Sequence, residues 1–210
     1  NGTDSFTFKV FDGWSDSNIA TVSITVVSSG PVVVFSDNFE SNQGWTVNPF
    51  GTDTAYTGNW ERANPSSVYY SGYKQLGTTT SGSYDLVTGP RSSSWDAGAY
   101  DIDGGVTSIR SPEFTLPAGK NLTLTFRYYL AHANNSSTAD YLRVKIVGAA
   151  TQTVLEELGA NNDDDASWAS FSGSLNSFAG QTVYILIEAA DAGSGSLVEA
   201  AVDDVLIMAQ

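Results

Sequence analysis

The chain has 210 residues, no cysteine, 23 acidic and nine basic side chains, and a net charge of −14. That length carries a core large enough to need no disulfide, and the lack of thiols excludes thiolate metal sites. The negative charge repels phosphate backbones, so nucleic acid is not expected as a partner, and no run of about eighteen apolar residues exists to support membrane insertion.

Two alternating runs open the chain, "SFTFKVFD" with Phe6, Phe8 and Val10 on one face and "ATVSITVV" with Val22, Ile24 and Val26 on one face. Joined through "GWSDSN", they predict a β-hairpin, which alone is marginal in water and needs further strands. "SSGP" at Ser28–Pro31 reads as a linker. The expected organisation is a terminal hairpin over 1–28, a linker and first-strand entry over 29–34, and one domain over 35–210. The chain does not begin with Met and shows no signal peptide, so it reads as an excised segment of a longer protein. "VVVFSDNFE" predicts a strand. Residues 46–105 are rich in Gly, Ser, Thr, Asp and Tyr, with "YDLVTG" as one short strand; a loop of that length needs something to organise it. Strands are then expected in "TSIRSPEFTL", "NLTLTFRYYL", "DYLRVKIVG", "QTVYILIEAAD" and "AAVDDVLIM", the fourth apolar on both faces and therefore central. No helix-period window is present, so the fold class is all-β.

Carboxylates stand beside the first and last strands of this domain: Asp37, Asn38 and Glu40 at one, Asp203 and Asp204 at the other. Strict alternation puts Asp203 and Asp204 on opposite faces, so one of them points toward apolar company. A buried carboxylate needs a proton, a cation or a basic partner, and nine Lys and Arg make a cation the economical solution. Ca²⁺, which takes about six to eight oxygens, suits such a set; solvated or hydrogen-bonded acids are the alternative. Asp101 and Asp103 in "YDIDGG" offer a second oxygen set for Ca²⁺, against the reading of an Asx-turn entering a strand. "NNDDDASW" reads as a solvated loop.

Six aromatics, Tyr56, Trp60, Tyr69, Tyr70, Tyr73 and Trp95, fall in the long polar region. Exposed, they would stack on the C–H-rich faces of sugar rings; buried, they would pin the loop to the sandwich. Trp45 and Trp168 are assigned to packing. Catalysis has little to work with: His132 is the single histidine and is expected to bond Ser136 or Ser137, and no G-x-S-x-G elbow occurs. Composition alone permits a glycosidase carboxylate pair, which is the enzyme alternative.

"NGTDSFTFKVFDGWSDSNIATVSITVV" resembles the last two strands of a bacterial cadherin-like or immunoglobulin-like repeat. "NFE…GW", the "SP" before a middle strand and the "DDV" near the end resemble the jelly roll shared by MAM-type domains and calcium-stabilised carbohydrate-binding modules. "GNWERANP", "QLGTTTSGSYDLVTG", "AYDIDGGVTSIRSPEFTLP", "RYYLAHANNSSTADYLRVKI" and "EAAVDDVLI", in that order, are similar to an accessory domain of bacterial secreted hydrolases, zinc and serine peptidases among them. The resemblance spans Phe35 to Met208. It implies an antiparallel jelly-roll β-sandwich with a structural calcium on Glu40 and on Asp203 or Asp204. It further implies a non-catalytic, secreted or cell-surface bacterial module that shares its parent chain with a catalytic domain and binds glycan or protein. An adhesin domain of a tandem-repeat surface protein is the alternative.

Overall fold

The computed structural model describes residues 2–26, 30–91 and 95–210, which form two units meeting in sequence at Pro31 and Val32. The expected linker at Ser28–Pro31 lies partly outside the described residues. In the first unit β1 (Gly2–Phe8) pairs antiparallel with β2 (Ala20–Val26), with Phe6 opposite Val22. Asp12 Oδ1 accepts the Trp14 and Ser15 N–H groups in the connecting turn, at 2.8 and 2.9 Å, and Lys9 pairs with Asp16. Phe6, Phe8, Ile24 and Val26 are exposed.

The second unit is built from fourteen strands. They are β3 (Val32–Asp37), β4 (Thr46–Val47), β5 (Trp60–Ala63), β6 (Ser67–Tyr69), β7 (Tyr73–Leu76), β8 (Asp85–Thr88) and β9 (Gly105–Arg110). These are followed by β10 (Phe114–Thr115), β11 (Leu122–His132), β12 (Tyr141–Val147), β13 (Thr151–Leu158), β14 (Ala169–Ser174), β15 (Thr182–Asp191) and β16 (Val198–Ala209). One six-stranded sheet runs β13-β12-β15-β9-β4, with β10 also on β15; the other runs β14-β11-β16-β8-β5, with β3 also on β16. From β8 onward the chain changes sheet at every connection except β9–β10 and the β12–β13 hairpin. That path, through β8, β9 and β11 to β16, is the jelly roll, and the all-β expectation holds.

Alternation explains the layers. Leu122, Leu124 and Phe126 of β11, with Val202 and Ile207 of β16, face Leu142, Val144 and Ile146 of β12 and Ile185 and Ile187 of β15 across one buried core. Outward residues of β12 pair instead: Arg143 with Glu156 and Lys145 with Glu188, each at 2.6 Å. As its apolar faces require, β15 is central.

The other sheet is also covered on its outer face. Val87, Tyr129, Ala131 and Ala201 pack there under Leu76 and Trp168. The cover is the β6–β7 hairpin together with residues 163–168, so the region expected to be mostly loop contains β4 to β8. The expected "YDLVTG" strand is β8, whereas β4 to β7 escaped notice because they are only two to four residues long. "NNDDDASW" is not simply solvated: Asp163 and Asp165 hold the fully buried Lys74 at 2.6 and 2.7 Å, and Lys74 Nζ also donates to Asp164 O.

Candidate functional site

Acids from the first and last strands of the sandwich do come together, since β3 lies beside β16. Asp203 and Asp204 are not on opposite faces. Asp204 and Val205 together stand opposite the single Phe126, a bulge in which Asp204 takes φ 51°. The bulge turns both carboxylates onto the same loop. Asp203 Oδ2 accepts Thr80 N (2.8 Å) and Oγ1 (2.7 Å), while Asp204 accepts Thr80 Oγ1 (2.7 Å) and Ser81 Oγ (2.6 Å). Glu40 Oε1 accepts Ser83 N and Tyr84 N, both at 2.8 Å, and these bonds hold its carboxyl below the usual range.

Two observations describe the charge balance of this clasp. Thr80 Oγ1 has one proton for two carboxylate oxygens, so one of its 2.7 Å contacts is between lone pairs unless a proton or cation intervenes. Asp85, opposite Asp203 on the outer face, is fully buried with neither oxygen hydrogen-bonded; desolvation and then the Asp203 charge push it up to about 8. These contacts crowd negative charge around Asp203 and Asp204, while Glu40 spends its carboxyl on the Ser83 and Tyr84 N–H groups. Asp37 is bonded within its own segment: its two oxygens accept Phe39 N and Trp45 Nε1, each at 2.8 Å, and Trp45 packs on Phe35 and Phe39. Asn38 Oδ1 closes a turn to Glu40 N and is exposed, so it is a turn residue rather than part of the clasp.

The second acid set lies at one end of the sandwich, where β9 and β16 begin and β11 and β15 end. Asp101 is buried, with Oδ2 accepting Val198 N at 3.3 Å and Oδ1 unpartnered. Burial and then the Asp103 charge raise it to about 7. Asp103 O accepts Tyr56 N, and Asp103 Oδ2 lies 3.4 Å from Thr57 Oγ1. Sequence reasoning missed Asp191, which joins them: Oδ2 accepts Ser196 N at 2.9 Å, and desolvation raises it to about 6. An acid ending "YILIEAAD", whose other charge is Glu188, was the available signal. Asp140, also missed, is lowered: against its burial, Ser137 N and Ser136 Oγ donate to it, both at 2.8 Å. Among the described residues no three acidic, imidazole or thiol side chains form a group that could hold a metal ion.

Of these acids, Asp101 and Asp103 line a pocket of about 700 Å³, together with Tyr70, Trp95, Asn135 and Ser196. Trp95 is 100 % exposed and Tyr70 about half-exposed. The six aromatics do not form one cluster. Trp60 is 0 % exposed inside the sandwich core, because β5 pairs with β8 and turns the indole inward, so it is corrected from ligand-binding to packing. Tyr69 and Tyr73 meet edge to face on the β6–β7 hairpin, and Tyr56 lines a separate pocket of about 200 Å³ with Tyr100 and Arg91. Trp168 packs on Tyr129 as expected. His132 is buried with Nδ1 3.1 Å from Ala133 O, while Ser136 bonds Asp140, which corrects the expected His132–Ser136 or Ser137 contact.

No protein-family model and no curated protein sequence matches the chain. Solved structures do resemble it. The K3 cleaved adhesin domain of Lys-gingipain from Porphyromonas gingivalis is 16% identical with a TM-score of 0.48, over 85% of this chain and 99% of that one. The CBM22-1 xylan-binding domain of Paenibacillus barcinonensis Xyn10C is 12% identical with a TM-score of 0.47, over 87% and 97%. A Stig cyclase from Fischerella sp. TAU is 13% identical with a TM-score of 0.44, over 86% and 98%. No helix among the described residues is long and apolar enough to cross a membrane.

Proposed function

We infer that the chain carries a non-catalytic binding module of a secreted bacterial hydrolase, and that its end-of-sandwich pocket takes glycan. The observation that carries this reading is the fully exposed Trp95 beside Tyr70, over a floor of carboxylate, amide and hydroxyl groups. A solvated indole gains by covering itself with the apolar face of a sugar ring. Asp103, Asn135 and Ser196 then read the hydroxyls. A peptidase is the parent enzyme that the sequence resemblance favours, and Glu40, Asp203 and Asp204 hold a structural Ca²⁺ in this reading. The single histidine is buried against a backbone carbonyl, which supports a module without acid–base chemistry of its own.

Electrophoresis through gels loaded with xylan, β-1,4-galactan or mannan tests the reading. At least one polysaccharide should retard the protein, and Trp95→Ala should abolish the retardation while leaving the unfolding midpoint unchanged, since nothing packs on the indole. Equal retardation of Trp95→Ala and wild type would move the site elsewhere. Absence of retardation on all three, with binding to a matrix protein, would favour the adhesin reading, for which the half-exposed Tyr69 and Tyr73 offer a protein-binding surface.

A further inference from the structure

The pocket lined by Trp95 carries one sign of charge. Asp96, Asp101 and Asp103 line it, and among the described residues no lysine, arginine or histidine does. Asp101 is 2 % exposed and Ser196 6 %, yet Asp101 Oδ1 and Ser196 Oγ have no hydrogen-bond partner. Val198 N donates to the other oxygen of Asp101 at 3.3 Å, a long contact for a carboxylate. Asn135, another lining residue, directs Nδ2 to Gly195 O at 2.9 Å. Burial and then the charges of Asp103 and Asp191 raise Asp101 to about 7, so its ionised form is held back for want of a positive neighbour. A neutral sugar hydroxyl would donate to Asp101 without offsetting that charge. An ammonium would do both.

We propose that the pocket selects glycans with free amino groups, the sugar ring covering Trp95 and Tyr70 while its ammonium is directed to Asp101 Oδ1. An ammonium has three donors and no acceptor, which matches a lining of unpartnered acceptors. Trp95 is fully exposed and Tyr70 about half-exposed, and an aromatic face attracts a cation as well as the C–H-rich face of a ring, so the same side chains serve both parts of an amino sugar. A uronic-acid glycan is disfavoured by the same lining, since its carboxylate would meet three aspartates and no base. A basic peptide carries the same ammonium, but a volume of about 700 Å³ is far more than one lysine side chain fills and suits linked rings. This inference rests on the glycan reading above and narrows it.

Calorimetric titration with short β-1,4-linked glucosamine oligomers, against N-acetylglucosamine oligomers of equal length, tests this at neutral pH and physiological salt. The free amine should bind about tenfold more tightly or better, the effect of one charge-assisted hydrogen bond. Asp101→Asn should remove that preference while keeping an acceptor for Val198 N; should it fail to fold, the less buried Asp103→Asn gives the same comparison. Trp95→Ala should weaken both oligomers. Glu113→Gln, which removes the same charge from an exposed acid outside the pocket, should change neither. Tight binding of the amino oligomer while xylan, galactan and mannan migrate freely with the protein supports the proposal. Equal affinity for capped and free amines, or retardation by a neutral polysaccharide without binding of the amino oligomer, overturns it and keeps the glycan reading. Equal weakening by Glu113→Gln and Asp101→Asn overturns it as attraction to an acidic protein at large. Tetralysine bound as tightly, and lost in Trp95→Ala and Asp101→Asn, reassigns the pocket to basic peptide. Binding of no sugar by either method removes both readings.

Discussion

Asp85 is a carboxyl group with no hydrogen-bond partner for either oxygen, fully buried beneath the β6–β7 hairpin. Its pKa rises from 3.8 to about 8, first by desolvation and then by the charge of Asp203. The folded protein therefore binds a proton that the unfolded chain releases above its own pKa, so this group's contribution is full below about pH 4 and is lost as pH rises toward 8. The slope from one such group is at most about 1.4 kcal/mol per pH unit. In EDTA, Asp85→Asn should match wild type near pH 4 and exceed it in chemical-denaturation stability at pH 8; parallel profiles would show that a neighbour already neutralises Asp85. The sequence displayed this acid inside "SGSYDLVTG" but not its burial, because the burial depends on a cover that arrives from two distant segments. Glu40, Asp203 and Asp204 were legible from their places beside the first and last strands. Their convergence depends on the Asp204 bulge, which alternation alone does not foresee.

At the level of elements, the long strands announced themselves and the short ones did not. β11, β12, β15 and β16 alternate or run apolar over seven to twelve residues. β13 and β14 are edge strands with mostly exposed or half-exposed side chains, so "TQTVLEEL" and "ASFSGS" carry no strong hydrophobic pattern. The β6–β7 hairpin is a cover held by ion pairing as much as by packing, with Lys74 as its anchor to Asp163 and Asp165. Lys74→Ala should cost about 1–3 kcal/mol, chiefly by removing a fully buried side chain and its charged hydrogen bond to Asp164 O, since Asp163 and Asp165 are themselves partly solvated. Limited proteolysis should then cut first between Ser66 and Gly77, and an unchanged cleavage pattern would assign the hold to Leu76 and Trp168 instead.

Across the whole molecule, a net charge of −14 sets acid against acid, and cations are the general remedy. On the proposed reading that Glu40, Asp203 and Asp204 hold Ca²⁺, a thousandfold excess over the dissociation constant would contribute about 4 kcal/mol. Melting in millimolar Ca²⁺ should therefore rise by several degrees over EDTA, with Mg²⁺ at equal ionic strength reproducing little of it. Glu40→Gln/Asp203→Asn should remove most of the rise. A midpoint equal in Ca²⁺, Mg²⁺ and EDTA would leave the clasp as a set of hydrogen bonds to the Thr80–Tyr84 loop. The jelly roll was legible because its long strands and terminal motifs follow one another in a fixed order. The pocket was only half legible, with Asp101, Asp103, Tyr70 and Trp95 in view and Asn135 and Ser196 supplied by folding.

One pairing in the sandwich governs how it responds to force. β3 enters at Val32 directly opposite Ala209, at the end of β16, so the two ends of this unit lie side by side rather than at opposite poles. Tension applied through both ends would therefore peel β3 from β16 one rung at a time, beginning at Val32 and Ala209. A shearing geometry would load the whole ladder at once. The Asp203–Asp204 clasp lies farther along β16, past the last β3 pair at Val205, and would meet the load only after that strand had peeled away.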